Sequence, residues 1–516
     1  MDVQNGGRAL LVLAALIGSG CGGGSTGGRT SAVPCSADAQ CSPDRVCLQG
    51  TCQPRAASTD QTRPTIMTIT PYENVLPIDT TFVVTFSEPV VLGPDPVRFS
   101  KDNLLDTYAT DVRLSADGQT MTIKPLGLTA PLDVVLSFNN SDIRDLAGNM
   151  LLGTDQRGFR YPAWIVLGTN LGYTPTLGVS GYSLSIDNGG DVYIAFSQYS
   201  YTGGTSDTDL WVKRWTASAG WTALGGTLKS AAGTGLSRPS IAARGSVVAV
   251  AFEEGPVLTR SVYVKEWDGS SWNLLGGSID QLGSATTPAL ALDASGTPVI
   301  AWERTTANQR AVMVAKWSGS GWATLGTLLN TSAQNASAPQ IVLDPAGNPV
   351  VAFLEDLPAG GAGVFVKAWN GTEWVLLGGP LNTSIYAQNV SLVLDASNRP
   401  VVAWDEGEVY AAVYDGSSFG VPARVTTSKT GTGTPSLALD DVFGVVATWT
   451  WQDEFLNMSR WDTTAWSDVG PVNSLSGVWI PWHLLRGAPG VPLTLLFLNR
   501  MPGAEKHDLQ VWRYNR

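Results

Sequence analysis

Short runs of alternating apolar and polar residues, separated by turn signals, occupy the chain from Pro64 onward. The first runs lie at Ile66–Ile69, Phe82–Phe86, Met121–Ile123 and Val134–Phe138, and Asp117-Gly118 marks a turn between two of them. Apolar residues at every second position indicate half-buried strands. Several such strands close together predict a small antiparallel sandwich, which we assign to residues 63–161.

The remaining segment, residues 162–516, repeats one pattern about every 50 residues. A representative unit has strands at Pro288–Asp293, Pro298–Trp302 and Ala311–Trp317, followed by a short strand from Trp322. Four strands per unit at this period predict the blades of a β-propeller, because four-stranded sheets can pack radially and leave only short edges.

The last unit contains three strands, from Pro481 to Tyr514. Its missing fourth strand is supplied by Trp164–Gly168, which has the Trp-x-x-Leu-Gly signature of the other fourth strands. We therefore predict a seven-bladed β-propeller closed by an N-terminal strand, an arrangement that removes the open edge between the first and last blades.

The sandwich segment contains four landmarks, at Pro64–Pro71, Thr85–Val90, Ser115–Thr120 and Asp145–Asn149. With these landmarks it resembles the bacterial Ig-like domain of the S-layer type. That resemblance implies a spacer or adhesive module without catalytic residues. The predicted fold class is all-β, an Ig-like β-sandwich followed by the propeller.

The first 20 residues are typical of an export signal, because Arg8 precedes the apolar run Ala9–Ile17 and small residues follow. The run is too short to span a bilayer. The segment resembles a bacterial lipoprotein signal, which implies lipidation of Cys21, although Gly18 stands where that pattern has an aliphatic residue. Free secretion is the alternative. Residues 21–34 form a Gly/Ser-rich tether and residues 53–62 a linker.

Residues 35–52 contain four closely spaced cysteines, at positions Cys35, Cys41, Cys47 and Cys52. After export the compartment is oxidising, so the set predicts two disulfides, and spacing alone leaves three pairings open. The segment resembles small cysteine-rich modules behind myxobacterial lipoprotein signals. This resemblance implies that Cys35 pairs with Cys47 and Cys41 with Cys52. The competing zinc site lacks a Cys-x2-Cys pair and a nearby histidine.

Charge and composition narrow the classes of partner. The net charge is -12 and charged residues make up 15% of the chain, without a cluster of lysine and arginine. This charge opposes binding to phosphate backbones, so nucleic acid is excluded as a partner. Any membrane contact is expected only through the lipid anchor.

Catalytic chemistry finds little support in the sequence. The Asp-x-x-Gly turns are only loosely similar to the Asp-boxes of sialidases, and we interpret them as hairpin turns. The two histidines, His483 and His507, both lie in the last unit. An isolated strand histidine is usually packed or solvated. We therefore predict that the protein is not an enzyme.

Acidic residues follow the second strand of successive units, and superposed blades would place them on one rim. These candidate ligand-binding residues are Glu253, Glu254, Glu303, Glu355, Asp356, Asp405, Glu406, Asp453 and Glu454. One hypothesis is a negative face that binds calcium or a hydroxyl-rich ligand. The alternative is a solvated, mutually repelling rim. No cofactor is required, and calcium is the one candidate ion.

Aromatic pairs recur at the third and fourth strands, and Trp272, Trp322 and Trp374 are the fourth-strand members we single out. In this content of aromatic residues the array resembles lectin-like propellers, which implies stacking on sugar rings. Packing between blades is the alternative.

Together these features predict a cell-surface or outer-membrane protein for binding or adhesion, which recognises a glycan or a surface protein. A structural envelope scaffold is the second hypothesis, and a glycan-active hydrolase the third.

Overall fold

The computed structural model describes residues 45–48, 51–54, 60–73, 75–101, 107–153, 156–172, 178–202, 205–229, 236–256, 259–280, 282–426, 433–451, 455–472, 483–488, 490–500 and 507–515. Within these ranges the chain is all-β, apart from a short 3-10 turn at Asn140–Asp142. No helix in the same ranges is long and apolar enough to cross a membrane.

A small hairpin precedes the larger units. Strands β1 (Arg45–Leu48) and β2 (Thr51–Pro54) are antiparallel, and Cys47 lies opposite Cys52 in their register. Cys21, Cys35 and Cys41 lie outside the described residues. The lipidation of Cys21 and the pairing of the other cysteines therefore stay predictions.

The predicted sandwich is present. Its strands are β3 (Ile66–Thr70), β4 (Phe82–Phe86), β5 (Val90–Leu92), β6 (Val97–Lys101), β7 (Thr107–Tyr108), β8 (Thr110–Leu114), β9 (Thr120–Pro125), β10 (Leu132–Phe138), β11 (Ile143–Asp145) and β12 (Gln156–Tyr161). They form two four-stranded sheets, ordered β3-β4-β9-β8 and β12-β10-β6-β7, and a ribbon of β5 and β11. Phe82 of one sheet contacts Phe159 of the other, with ring centroids 4.8 Å apart.

In the described part of the chain, seven four-stranded antiparallel sheets follow, which we number I to VII. Sheet VII takes its outer strand, β13 (Trp164–Gly168), from the start of this array. The other strands are β14 (Gly178–Ile186), β15 (Val192–Thr202), β16 (Thr205–Thr216) and β17 (Gly220–Ala223) in sheet I; β18 (Leu236–Arg244), β19 (Val247–Glu254), β20 (Ser261–Trp267) and β21 (Trp272–Leu274) in sheet II; β22 (Ser284–Leu292), β23 (Pro298–Thr305), β24 (Arg310–Trp317) and β25 (Trp322–Thr324) in sheet III; β26 (Ala336–Leu343), β27 (Pro349–Asp356), β28 (Ala362–Trp369) and β29 (Trp374–Gly378) in sheet IV; β30 (Gln388–Leu394), β31 (Pro400–Asp405), β32 (Val409–Val413) and β33 (Ala423–Arg424) in sheet V; β34 (Ser436–Asp440), β35 (Gly444–Trp451), β36 (Phe455–Trp461) and β37 (Trp466–Pro471) in sheet VI; and β38 (His483–Ala488), β39 (Val491–Arg500) and β40 (His507–Tyr514) in sheet VII.

The second strand of each sheet lies in the core. It is a continuous apolar run rather than an alternating one, because neighbouring sheets cover both of its faces. Each carries a large aromatic residue that is at most 1% exposed: Phe196, Phe252, Trp302, Phe353, Trp404, Trp449 and Phe497. These side chains fill the space between consecutive sheets.

The first strands of the sheets contact one another in a cycle. Each of β14, β18, β22, β26, β30 and β34 contacts the next first strand along the chain, and β38 contacts both β34 and β14. A cavity of about 310 Å³ lies between them and is lined by all seven. At the outer edge of sheet VII, β13 pairs with β40, and Trp164 lies opposite Tyr514.

Candidate functional site

The acidic residues behind the second strands are largely buried. Glu253, Glu355 and Asp405 are 1% exposed, Glu254 is 6% exposed and Glu303 is 8% exposed. These five carboxylates therefore do not form a solvated rim, because neighbouring strands and loops cover them. Asp356 and Glu406 remain half-exposed. Asp453 and Glu454 lie outside the described residues.

Two of the buried carboxylates bind the neighbouring sheet. Glu253 of sheet II accepts a hydrogen bond from the backbone N–H of Thr287 in sheet III at 2.8 Å. Glu303 of sheet III accepts the equivalent bond from Ala338 of sheet IV at 2.7 Å. Thr287 and Ala338 each lie at a β-bulge with a φ of +52°, a conformation that is costly for non-glycine residues. The carboxylates thus hold strained bulges across sheet boundaries.

The next residue along the chain, one place after the position of Glu253 and Glu303, binds the loop that leads into the sheet to which that residue belongs. Glu355 accepts hydrogen bonds from the backbone N–H of Thr331 at 2.6 Å and the hydroxyl of Ser332 at 2.5 Å. Glu406 does the same with the Thr383 hydroxyl at 2.9 Å and the Ser384 N–H at 2.7 Å. The sequence signal of this contact is the Asn-Thr-Ser that recurs at positions 330–332 and 382–384.

Sheet III carries an equivalent contact in which donor and acceptor are exchanged. Arg304 replaces the acid and forms an ion pair with Asp280, which also accepts a hydrogen bond from the Trp302 indole at 2.9 Å. Burial raises the pKa of the Asp280 carboxyl, but the bonds from Arg304 and Trp302 outweigh it and hold that pKa below its ordinary value. In Asp405, burial is the larger influence and raises the pKa of the carboxyl.

The three tryptophans singled out from the sequence connect adjacent sheets. The indole N–H groups donate to backbone carbonyls of the preceding sheet, Trp272 to Leu224 at 2.8 Å, Trp322 to Leu275 at 2.9 Å and Trp374 to Leu325 at 2.7 Å. Each ring also packs on the aromatic partner in its own sheet, with centroids 5.3 Å apart for Trp317 and Trp322. These contacts favour the packing interpretation of the three rings.

These contacts also explain the Trp-x-x-Leu-Gly signature. The leucine carbonyl accepts the indole N–H of the next sheet, and the glycine lets that sheet's aromatic pair approach. At Gly276, which has a φ of +71°, an added Cβ would lie 3.2 Å from the ring of Trp317. The signature therefore marks the residues that form the contacts between adjacent sheets.

A surface cleft of about 930 Å³ lies between sheets IV and V, and we call it the IV–V cleft. Its polar and aromatic lining includes Gln334, Asp356, Tyr386, Gln388 and Glu406. Tyr386 is 70% exposed, so most of its ring is open to solvent. Asp356 and Glu406 are the two sequence-predicted acids that border it.

Backbone contacts hold the loop that carries Tyr386. The residue before it, Ile385, accepts a hydrogen bond from the Ala362 N–H at 2.9 Å, and Ala387 donates to the Ala362 carbonyl at 3.2 Å. Gly361 permits this approach, because a Cβ there would lie 1.8 Å from the Ile385 oxygen. Glu406 anchors the same loop from sheet V. The exposed ring therefore projects from a fixed backbone.

The polar groups around Tyr386 are partly committed to one another. Gln388 donates its side-chain N–H to Asp405 at 3.0 Å, and Asp356 accepts from the Asn335 amide at 3.0 Å. The amide oxygen of Gln388 and the second carboxylate oxygen of Asp356 can still accept a hydrogen bond. An exposed aromatic face beside carboxylates and amides suits a ligand with both apolar ring faces and hydroxyl groups.

Comparison with known proteins identifies the sandwich. Residues 60–161 match the family model described as the bacterial Ig-like domain. The sandwich is a bacterial Ig-like domain.

The Ig-like domain is held to the array by Asn515, whose side chain accepts a hydrogen bond from the Ile78 N–H at 2.6 Å and donates to the Leu76 carbonyl at 3.1 Å. No curated protein matches the chain.

Solved structures resemble the chain at low identity. A protein of unknown function from Dyadobacter fermentans is 10% identical with a TM-score of 0.43, and the match covers 69% of this chain and all of that one. Trypanosoma rangeli sialidase is 9% identical with a TM-score of 0.41, and the match covers 82% of this chain and 59% of the sialidase. The Aleuria aurantia lectin is 13% identical with a TM-score of 0.37, and the match covers 58% of this chain and 96% of the lectin. At these TM-scores the similarities carry no functional argument.

Proposed function

We propose that the chain is a non-catalytic surface protein whose seven-sheet array binds a glycan in the IV–V cleft. The observation that carries this proposal is Tyr386, an exposed ring on a loop fastened from two sheets. An aromatic side chain has few rotatable bonds, and on a fixed backbone it can pack against a sugar ring without losing much conformational freedom on binding.

The hydroxyl groups of a sugar need hydrogen-bond acceptors and donors beside that ring. Asp356 and Glu406 supply carboxylate oxygens, and Gln334 and Gln388 supply amides. Among the described residues, the other sequence-predicted acids and the three tryptophans have structural contacts, so we propose that they support the array. These acids are Glu253, Glu254, Glu303, Glu355 and Asp405. Calcium is not required, because the acceptors can act directly on hydroxyl groups.

We also propose that the array is a closed seven-bladed propeller. Support comes from the cyclic contacts of the first strands and from β13, which fills the outer position of sheet VII.

The Ig-like domain then acts as a spacer, since such domains are typical of bacterial surface proteins. Export, lipidation of Cys21, the two disulfides and placement in the outer membrane or at the cell surface belong to this proposal. Free secretion is the alternative location.

The proposal is tested by a glycan array with the full chain, in the presence of calcium and in the presence of a chelator. We expect reproducible hits that persist with the chelator. Tyr386→Ala should remove them, and Gly361→Ala should weaken them by displacing the loop. Tyr72→Ala is the matched control, because Tyr72 is a 61% exposed tyrosine on the Ig-like domain.

A blank array would overturn glycan recognition and favour a protein partner or an envelope scaffold. Hits that survive Tyr386→Ala would overturn the IV–V cleft as the site. Turnover of the bound glycans by the protein would overturn the non-catalytic role.

A further inference from the structure

The cavity between the seven first strands has an unusual charge for this protein. Its charged lining residues are Arg244 from β18 and Arg486 from β38, and in the described part of the chain no aspartate or glutamate lines it. The chain as a whole has a net charge of -12. The cavity therefore concentrates positive charge inside an acidic protein.

Arg486 has little compensation from the protein. Its guanidinium donates to the carbonyl of its own neighbour, Leu485, at 2.8 Å. Across the described ranges no carboxylate forms an ion pair with Arg486 or Arg244. Arg486 is half-buried, and this burial lowers the pKa of its guanidinium. A cation partly removed from bulk water is costly unless a counter-charge accompanies it.

Other lining groups can donate hydrogen bonds. The hydroxyls of Ser183, Ser240 and Ser391 accept backbone N–H bonds from the next first strand, at 3.1 Å, 3.0 Å and 3.0 Å. Accepting uses an oxygen lone pair and leaves the hydroxyl hydrogen free to donate. The side chain of Gln340 also lines the cavity and contributes amide N–H groups. Donors thus come from several of the sheets.

We propose that this central cavity binds a small oxyanion, with Arg486 and Arg244 supplying the charge and the serine hydroxyls supplying further hydrogen bonds. A volume of about 310 Å³ has room for sulfate, phosphate or a small carboxylate together with a few water molecules. The bound anion would join sheet VII to sheet II through their first strands, and so stabilise the arrangement of the sheets. This site is separate from the IV–V cleft and does not depend on glycan binding.

Thermal unfolding of the full chain tests the proposal. The melting temperature is measured in rising sodium sulfate and, in a second arm, sodium acetate, each against sodium chloride at the same ionic strength. We expect a saturable rise with sulfate or acetate beyond that with chloride, and the stronger of the two identifies the preferred class of anion. Arg486→Gln and Arg244→Gln should each raise the half-saturating concentration about tenfold, since a charge-assisted hydrogen bond contributes at least that factor.

Arg460→Gln is the matched control, because Arg460 is an exposed arginine on sheet VI, and its saturation curve should equal that of the wild type. Near-ultraviolet circular dichroism checks that each variant is folded, and Arg244→Gln serves if Arg486→Gln does not fold. Equal responses to all three salts in the wild type would overturn the proposal. So would an anion response that the folded cavity variants leave unchanged.

Discussion

Single side chains join the sheets of the array, and Trp322 shows how. Its ring packs on Trp317 of the same sheet, while its N–H bonds the Leu275 carbonyl of the preceding sheet. In sheet V the equivalent residue is Phe419, which packs on Tyr414 without an indole N–H. Ring packing is therefore common to both sheets, and the hydrogen bond is an addition to it.

We predict that Trp322→Phe lowers the free energy of unfolding by about 1 kcal/mol, because one partly buried hydrogen bond is lost. Trp322→Ala should lower it by about 3 kcal/mol, because the ring contacts disappear as well. Urea denaturation followed by circular dichroism measures both values. If both variants unfold at the wild-type urea concentration and binding to array hits is lost, Trp322 is a ligand contact and the packing role is wrong.

The turn aspartates give the array a defined response to acid. Backbone N–H groups of Ser418 and Ser417 and the Ser417 hydroxyl lower the pKa of Asp415 to about 2. In sheet IV the neutral residue Asn370 accepts the same kind of bonds, from the N–H groups of Thr372 and Glu373 at 2.9 Å. The turn therefore needs the acceptor oxygen but not a titrating group.

We predict that Asp415→Asn changes the pH dependence of stability. A carboxyl whose folded pKa is lowered contributes stability above its unfolded pKa, about 3.9, and that stability is lost as the pH falls toward about 2. The wild type should thus lose more stability than Asp415→Asn between pH 5 and pH 2. Urea denaturation at several pH values measures the difference, and parallel curves for the two proteins would contradict the assignment.

At the level of strands, the bulged first strands of sheets III and IV bind carboxylates from the preceding sheet. At the boundary of sheets III and IV, the bulge residue Ala338 donates its N–H to Glu303. At the boundary of sheets IV and V, the bulge residue is Asn389, and Leu354 stands in sheet IV where sheet III has Glu303. Asn389 is exposed, so water can reach its backbone. Ala338 is partly buried, so its N–H needs the carboxylate.

We predict that Glu303→Ala lowers the free energy of unfolding by about 1–3 kcal/mol, because it leaves the N–H of Ala338 without its acceptor. Glu373→Ala is the control, since Glu373 is an exposed acid whose removal should be nearly neutral. Hydrogen exchange should also accelerate at Ala338 in the first variant. Unchanged stability and exchange in Glu303→Ala would show that the bulge does not need the carboxylate.

The strands themselves follow closely from the sequence. Alternating residues located β3, β4, β9 and β10, and the Trp-x-x-Leu-Gly signature located β13 as the partner of β40. The burial of the acids could not be predicted in this way. Their repeat shows that they are equivalent, but the left-handed bulges at Thr287 and Ala338 that face them involve ordinary residues with no recognisable signal.

Across the whole molecule, the part of the site that sequence analysis missed is the part that does not repeat. Tyr386 lies in the loop that enters sheet V, and the equivalent loop of sheet IV has Gln334, without an aromatic ring, at the same distance from its Asn-Thr-Ser. The exposure of Tyr386 depends on Gly361, which is distant in sequence and whose lack of a Cβ admits the loop. The repeats therefore predicted the strands of the array. The exposed ring of the IV–V cleft comes from residues that the repeats do not share, Tyr386 and Gly361.

We propose above that the IV–V cleft binds a glycan on Tyr386. The most direct measurement is the crystal structure of the full chain with the strongest glycan from the array. We predict a sugar ring packed on the Tyr386 side chain, with hydroxyl groups bonded to Asp356, Glu406 or the neighbouring amides. A glycan bound elsewhere on the array or on the Ig-like domain, with the IV–V cleft empty at saturating glycan, would contradict the claim.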